Sequence, residues 1–360
     1  MGRRASRGCG LMTRSRAAGS EPEAIHGAVD AGCQRRRPPA TLPVVRGFVA
    51  VTDPGWYHCL LREGAAEANF WRPSTRRVNL PAGTPFFFKL KAPANKIAGF
   101  GYFAYFTVLP EWLAWDTFGR ANGVATREEL VARLRRIREG AGIEADPQER
   151  IGCSLLAECR FFPPEAWIEP PGGWSPRTQS GAGIDLTHGD GLRIWMECRE
   201  RSSIAADAPR AAIEVPSRAL PSARHSGPRF GAPTLHRPRL GQGIFRVQVL
   251  DAYGRACAVT GEHSLPVLDA AHIRPYGQDG DHVVSNGLAL RSDIHRLFDR
   301  GYVSFDEELR FMVSGRLKDD FNNGRSYYGY RDQPLLLPTS PELQPDRAAL
   351  AWHRERVFLG

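Results

Sequence analysis

Between Leu268 and Phe305 the chain reads LDAAHIRPYGQDGDHVVSNGLALRSDIHRLFDRGYVSF, and three of its side chains are spaced for hydrolytic chemistry. His272 closes a short apolar run, Asn286 of an Asn-Gly pair follows fourteen residues later, and His295 lies nine residues beyond that. Near neutral pH an imidazole can take a proton from water or bind a divalent ion. Phosphodiester hydrolysis around one ion needs both roles. A neutral histidine at a strand end draws the proton from the attacking water. An ion held jointly by strand and helix stabilises the charge that grows on phosphorus and on the leaving 3′ oxygen. An asparagine in the connecting loop keeps that loop, and so the base, in place. Each residue alone has a plainer reading: a strand histidine is usually an ordinary polar residue, and Asn-Gly is usually a turn. Joint spacing separates the two cases, provided that the right elements surround it.

Those elements are legible. VLDAAHI reads as a strand that Pro275 and Gly277 end. A polar loop runs to Val283, and NGLAL opens a second strand. SDIHRLFDRG reads as a short helix capped by Ser292 and closed by Gly301. The expected unit is therefore β-β-α. Upstream, FRVQVLDAYG looks helical and ACAVTG looks like a short turn-containing strand. Downstream, PELQPDRAALAWHRERVF ends the chain in an amphipathic helix.

AHIRPY, Asn286-Gly287-Leu288 and His295 followed by LFDRG resemble the HNH endonuclease family, and RACAVTG upstream is similar to its restriction-type branch. The resemblance covers about residues 242–356. It implies a ββα-metal nuclease domain in which His272 is the general base, Asn286 the structural residue and His295 a metal ligand, with Mg²⁺ or Mn²⁺ as cofactor. The family often carries a ligand directly before the base, where this chain has Ala271. Asp269, two residues further back, shares that strand face and is the candidate ligand. Asp299 stands one helical turn after His295, as a further ligand or a helix-end contact. His263 and His282 read as solvent- or DNA-facing loop residues. Cys257 has no CxxC partner, which argues against zinc there.

The N-terminal half has a different texture. FFFKLK and KIAGFGYFAYFTVL are strands dense in β-formers, joined by a short turn. Phe86, Phe87 and Phe88 alternate along the first, which places at least one in a core. IGCSLLAECRFF is a further strand candidate, WYHCLL a short strand or helix after a Pro54-Gly55 turn, and WIEPPGGWSPRTQSGAGIDL a loop. TREELVARLRRIREG reads as a helix with a Thr126/Glu129 capping box, an apolar stripe of Leu130, Val131, Leu134 and Ile137, and Gly140 as its end. The strand and aromatic pattern is similar to PUA-like barrels of the EVE and YTH group. That resemblance implies a curved sheet holding one modified or flipped base by stacking and edge hydrogen bonds. The candidate base-binding residues are Trp71, Trp115, Asp116 and Asn69, with Trp112 beside them; packing in the core is the plainer role for each tryptophan.

The expected organisation is α+β: a disordered basic tail over 1–46, a PUA-like reader over 47–200, a linker over 201–240 and the nuclease over 241–360. The 360-residue length accommodates two such domains. Of the formal charge of +9, residues 1–46 supply +6 through nine Arg against three acidic residues, so net charge says little about a nucleic-acid partner. Seven cysteines without paired spacing fit a reducing cytoplasm better than a disulfide framework, and no apolar run reaches membrane-span length. The leading expectation is a cytoplasmic enzyme cutting double-stranded DNA that carries modified cytosine, with a homodimer as one way to cut both strands. A sequence-specific or nicking endonuclease without modification dependence is the alternative. A third is a nucleic-acid-binding protein with a degenerate site, which Ala271 keeps open.

Overall fold

The computed structural model describes residues 45–360 except 145, 176, 179, 208–239 and 276–280, together with the backbone but not the side chains of 204–207. Residues 1–44 of the expected tail and most of the expected linker lie outside the described residues, and the tail's last residue, Arg46, opens a strand instead. The first residues of that linker continue a helix, Gly189–Asp207.

The N-terminal part is one six-stranded sheet. Its strands are β1 (Arg46–Thr52), β2 (Ala68–Arg72), β3 (Thr84–Leu90), β4 (Ile97–Pro110), β5 (Arg150–Phe161) and β6 (Gly181–Asp185), in the order β2-β5-β4-β3-β1-β6. All neighbours pair antiparallel except β1 and β3, which run parallel. The order leaves β2 and β6 as edges, so among the described residues the sheet is open where a closed barrel was expected.

The phenylalanine triplet alternates as expected, and because both faces are covered Phe86, Phe87 and Phe88 are all buried. Phe86 and Phe88 join the core under helix α1 (Pro54–Glu63), whereas Phe87 packs with Trp195 of α4 (Gly189–Asp207). Several local expectations shift for identifiable reasons. Pro54-Gly55 opens α1 because the Asp53 carboxylate accepts from the amides of Gly55 and Trp56. The Trp-rich stretch is helix α2 (Glu111–Phe118), and the expected loop before α4 contains strand β6. Helix α3 (Arg127–Ala141) runs through Gly140 and stops at Gly142, which supplies the left-handed φ of 61°. Its Thr126 cap is present, but Ile137 lies 44% exposed, outside the buried Leu130/Leu134 stripe.

The C-terminal part begins with α5 (Gln242–Ala252). Antiparallel strands β7 (Leu268–His272) and β8 (Gly287–Arg291) follow, then α6 (Ser292–Asp299), the small β9 (Val303–Phe305) and β10 (Phe311–Val313) pair, short helices α7 (Arg316–Phe321) and α8 (Arg325–Tyr328), and α9 (Arg347–Arg356). ACAVTG forms turns rather than a strand. Ser292 is the first residue inside α6 rather than its cap, and its hydroxyl donates to the Val267 carbonyl.

Helix α5 belongs to two cores. Ile244 and Val247 pack with Leu155 and Ala157 of β5, while Phe245, Val249 and Leu250 pack with Leu288 and Leu290 of β8. Polar contacts reinforce the junction. The Glu67 carboxylate accepts from the amides of Gly243 and Ile244 at 3.1 and 3.3 Å. Thr107 donates to Asp251 at 2.7 Å, and Arg255 donates to the Val108 carbonyl at 2.7 Å.

Candidate active site

The β7-β8 hairpin sets His272 opposite Gly287 and Asp269 opposite Leu290. Asn286 closes the loop between the strands. Its Oδ1 accepts from the Arg274 amide at 3.0 Å, and its Nδ2 donates to the carbonyls of Arg274 and Asp281 at 2.9 and 3.0 Å. Asn286 is buried. These bonds tie both ends of the loop to the end of β7, immediately beside His272. Gly287 has an extended φ of −130°, so it is not there for a turn. A Cβ at this position would lie 2.4 Å from Val249 and 3.0 Å from the Phe245 ring, and glycine is what lets α5 approach the hairpin.

Phe245 in turn fixes the base candidate. Its ring stacks on His272 with centroids 3.9 Å apart and planes 13° from parallel. His272 Nε2 lies 3.3 Å from His282 Nδ1. Burial above all, with His282 and His295 adding to it, pushes the His272 pKa down to about 4. The imidazole is therefore neutral at physiological pH and free to accept a proton, at the expense of some basicity. His282, expected to face solvent or DNA, sits against His272 instead. Its position four residues before Asn286, inside the tethered loop, was the only signal in the sequence. Phe245 carried none beyond helical periodicity.

His295 projects from α6 toward β7. Its Nδ1 is 3.4 Å from Asp269 Oδ2, and its Nε2 is 3.4 Å from Asp299 Oδ2. Burial, the largest single influence on His295, lowers its pKa; the Asp269 hydrogen bond and the Asp299 and Asp269 charges more than offset it and hold the group above its ordinary value. Asp269 is held below the usual carboxylate range, first by the His295 hydrogen bond.

Two donors about 2.1 Å from one ion stand roughly 3.0–3.4 Å apart in tetrahedral or octahedral coordination. The Asp269–His295 spacing of 3.4 Å, with a carboxylate and an imidazole as donors, fits two ligands of a single divalent ion. Asp299 faces the opposite ring nitrogen and does not converge with them. Consistent with this, no group of three or more His, Cys, Asp and Glu side chains that could hold a metal ion occurs among the described residues. Ala271 is fully buried in the core and offers no donor. Cys257 is a buried free thiol whose sulfur accepts from the Arg291 amide.

The four base-binding candidates do not come together. Trp71 lines a cavity on the N-terminal sheet, and its indole donates to the Asn122 carbonyl at 2.8 Å. Asn69 is fully buried, its amide donating to Asn122 Oδ1 and Cys153 Sγ, so it is closed off from any ligand. Trp115 packs in the α2 cluster, as does Trp112, and Asp116 is exposed on the same helix; none of the three lines that cavity.

Residues 257–306 match the model of a family described as HNH endonuclease. No curated protein matches the chain. Among solved structures, the chain has some likeness to the modification-dependent TagI restriction endonuclease, at 22% identity and a TM-score of 0.24 over 32% of this chain and 37% of that one. It also has some likeness to an ASCH protein from Zymomonas mobilis, at 15% identity and a TM-score of 0.28 over 41% of this chain and 93% of that one. The chain thus spans little more than a third of the restriction enzyme's length.

Proposed function

We propose that this chain, whose residues 257–306 are of the HNH endonuclease family, is a metal-dependent endonuclease that hydrolyses phosphodiester bonds of double-stranded DNA and restricts DNA carrying modified cytosine. In this reading residues 47–200 select the substrate and residues 241–360 cut it. The observation that carries the nuclease half is the pairing, on one hairpin-helix unit, of a neutral His272 with a carboxylate-imidazole pair at ligand spacing.

His272 accepts the proton of the attacking water, oriented by its stack on Phe245 and by His282. Asp269 and His295 are the residues that would hold Mg²⁺ or Mn²⁺, and such an ion supplies charge stabilisation for the phosphorane and the departing 3′ oxygen. Asp299 orients the His295 ring from its far nitrogen. Asn286 keeps the loop from swinging away from His272.

Digestion of plasmid and phage DNAs that differ only in cytosine modification tests the proposal. The expected result is Mn²⁺- or Mg²⁺-dependent cleavage of modified DNA, abolished by chelator and reduced by about 10²–10⁴-fold in His272→Ala, the usual share of a general base. Equal cleavage of modified and plain DNA would remove the selection half, and full activity in His272→Ala would remove the mechanism.

A further inference from the structure

Helix α5 divides its apolar residues between two cores, and one residue of the run belongs to neither. Ile244 and Val247 face the N-terminal sheet, whereas Phe245, Val249 and Leu250 face the β7-β8 hairpin. Arg246 is the only charged residue between Gly243 and Leu250. Helical spacing sets it on the hairpin side, between Phe245 and Val249 on one flank and Leu250 on the other. A helix packed against both neighbours needs no cation there for burial, so the guanidinium calls for another account.

Arg246 is half-buried, and its side chain reaches the first residue of β7, where Nη2 donates to the Leu268 carbonyl at 3.3 Å. Among the described residues it forms no ion pair. Nε is shielded without an acceptor, whereas Nη1 is neither shielded nor hydrogen-bonded among the described residues. Its charge reaches Asp269. Behind the His295 hydrogen bond, Arg246 is one of the influences that hold the Asp269 carboxyl below its usual range. Consecutive residues of α5 thus serve both parts of the site: Phe245 stacks on the base candidate His272, and Arg246 stands by the ligand pair Asp269 and His295.

We propose that Arg246 contacts the substrate: Nη1 donates to a non-bridging oxygen of the phosphate that is cut, and DNA and the divalent ion therefore bind cooperatively. This rests on the reading of residues 241–360 as the part that cuts. The reason is electrostatic. An ion held by Asp269 and His295 has the Arg246 cation for a neighbour, and like charges at that range repel. A phosphate beside both attracts both, and it supplies the anion that the guanidinium lacks within the chain. Arginine suits the task because its donors stay charged and fan out in a plane, so Nη2 can keep the Leu268 carbonyl while Nη1 takes the phosphate.

Two binding measurements on the full chain test this without reliance on cleavage. The first is fluorescence anisotropy of a labelled duplex carrying 5-methylcytosine, in Ca²⁺, across a KCl series. Arg246→Gln should bind roughly ten-fold more weakly, the worth of one charge-assisted hydrogen bond. Its slope of log affinity against log salt should be shallower by about one, the counterion count of a single phosphate contact. Arg246→Lys should keep the slope and recover part of the affinity. The slope does not depend on the fraction folded, so a variant that folds poorly still gives a reading. The second is calorimetric titration of the DNA-free protein with Mn²⁺. Here Arg246→Gln should bind the ion roughly three-fold more tightly, because a screened neighbouring cation is gone. An arginine that only ties α5 to Leu268 predicts the reverse: weaker Mn²⁺ binding and an unchanged salt slope. Either of those results, in a protein whose wild type binds and cleaves DNA, overturns this inference alone. A wild type that binds no duplex overturns the cutting role of residues 241–360 together with it.

Discussion

Removing the Asn286 side chain offers the sharpest test of how the loop beside His272 is held. Asn286→Ala deletes three hydrogen bonds, one accepted from the Arg274 amide and two donated to the carbonyls of Arg274 and Asp281. Each contributes about 1 kcal/mol net, for a ceiling of about 3 kcal/mol. Asp281 is exposed, so its carbonyl regains water at little loss; Arg274 is half-buried and regains less. The expected destabilisation is therefore about 2 kcal/mol, which at about 2 °C per kcal/mol for a unit of this size lowers the melting temperature by about 4 °C. Asn286→Asp preserves the shape but sets an anionic acceptor, in place of the donating amide nitrogen, against two carbonyl oxygens, and should be worse than alanine despite being isosteric. Differential scanning calorimetry gives the stability, and limited proteolysis reports whether the loss is local, as faster cutting within 273–286. Under the proposed mechanism both variants also lose cleavage beyond what the remaining folded fraction explains, because the loop carries His282 to His272. A melting temperature unchanged within about 1 °C in Asn286→Asp, where about 4 °C or more is expected, would refute the clamp, whatever happens to activity.

Other perturbations have equally direct readouts. His353 of α9 is buried, stacks on Phe298 at 3.7 Å and lies within hydrogen-bond distance of Ser304, and burial pushes its pKa down to about 4. Its folded value lies below its unfolded value near 6.5, so its contribution is present above pH 6.5 and is lost as pH falls toward 4; about 3 kcal/mol is at stake, read as the difference between the urea-melt pH profiles of the wild type and His353→Gln. Gly287→Ala should destabilise by about 1–3 kcal/mol through overpacking against Val249 and Phe245, and a melt within error of wild type would disprove the close approach. Glu67→Ala removes the acceptor for two amides at the start of α5; thermal melts should show about 1–2 kcal/mol of lost capping. His282→Ala should leave the melt nearly unchanged while reducing single-turnover cleavage, and undiminished cleavage would confine His282 to packing.

What could be read in the sequence follows from how local the cause is. The β7-β8-α6 unit was legible because hairpin and helix are set by short-range signals, and the strand period alone put Asp269 on the face that meets His295. The helical stripe of α3 was legible up to Leu134, but Ile137 lies outside it because its neighbour is a cavity rather than a core, and the sequence does not say which face a partner covers. Phe87 alternates to the second sheet face yet is buried for the converse reason: α4, about a hundred residues away, covers that face. Strand β2 was hidden in NFWRPS, where charge and proline outweigh two aromatic residues. The base-binding candidates were chosen as aromatic residues beside turns. Register decides such matters instead: neighbours Asn69, Trp71 and Arg72 on one strand end respectively sealed under the sheet, on the cavity wall bonded to Asn122, and beside Phe106.

The gap at Ala271 has a geometric resolution. A ligand at that position would have to leave a site that is fully buried in the core with Leu288 and Ile294, so alanine there serves packing. Asp269 is two residues back, one strand period, and therefore leaves the strand on the same side but nearer the start of α6. Its carboxylate meets His295 in the first half of that helix, and that hydrogen bond is the largest influence lowering its pKa. Moving the acidic donor back by one period thus keeps the donor pair together and shifts it along the hairpin, away from the end where His272 stacks on Phe245.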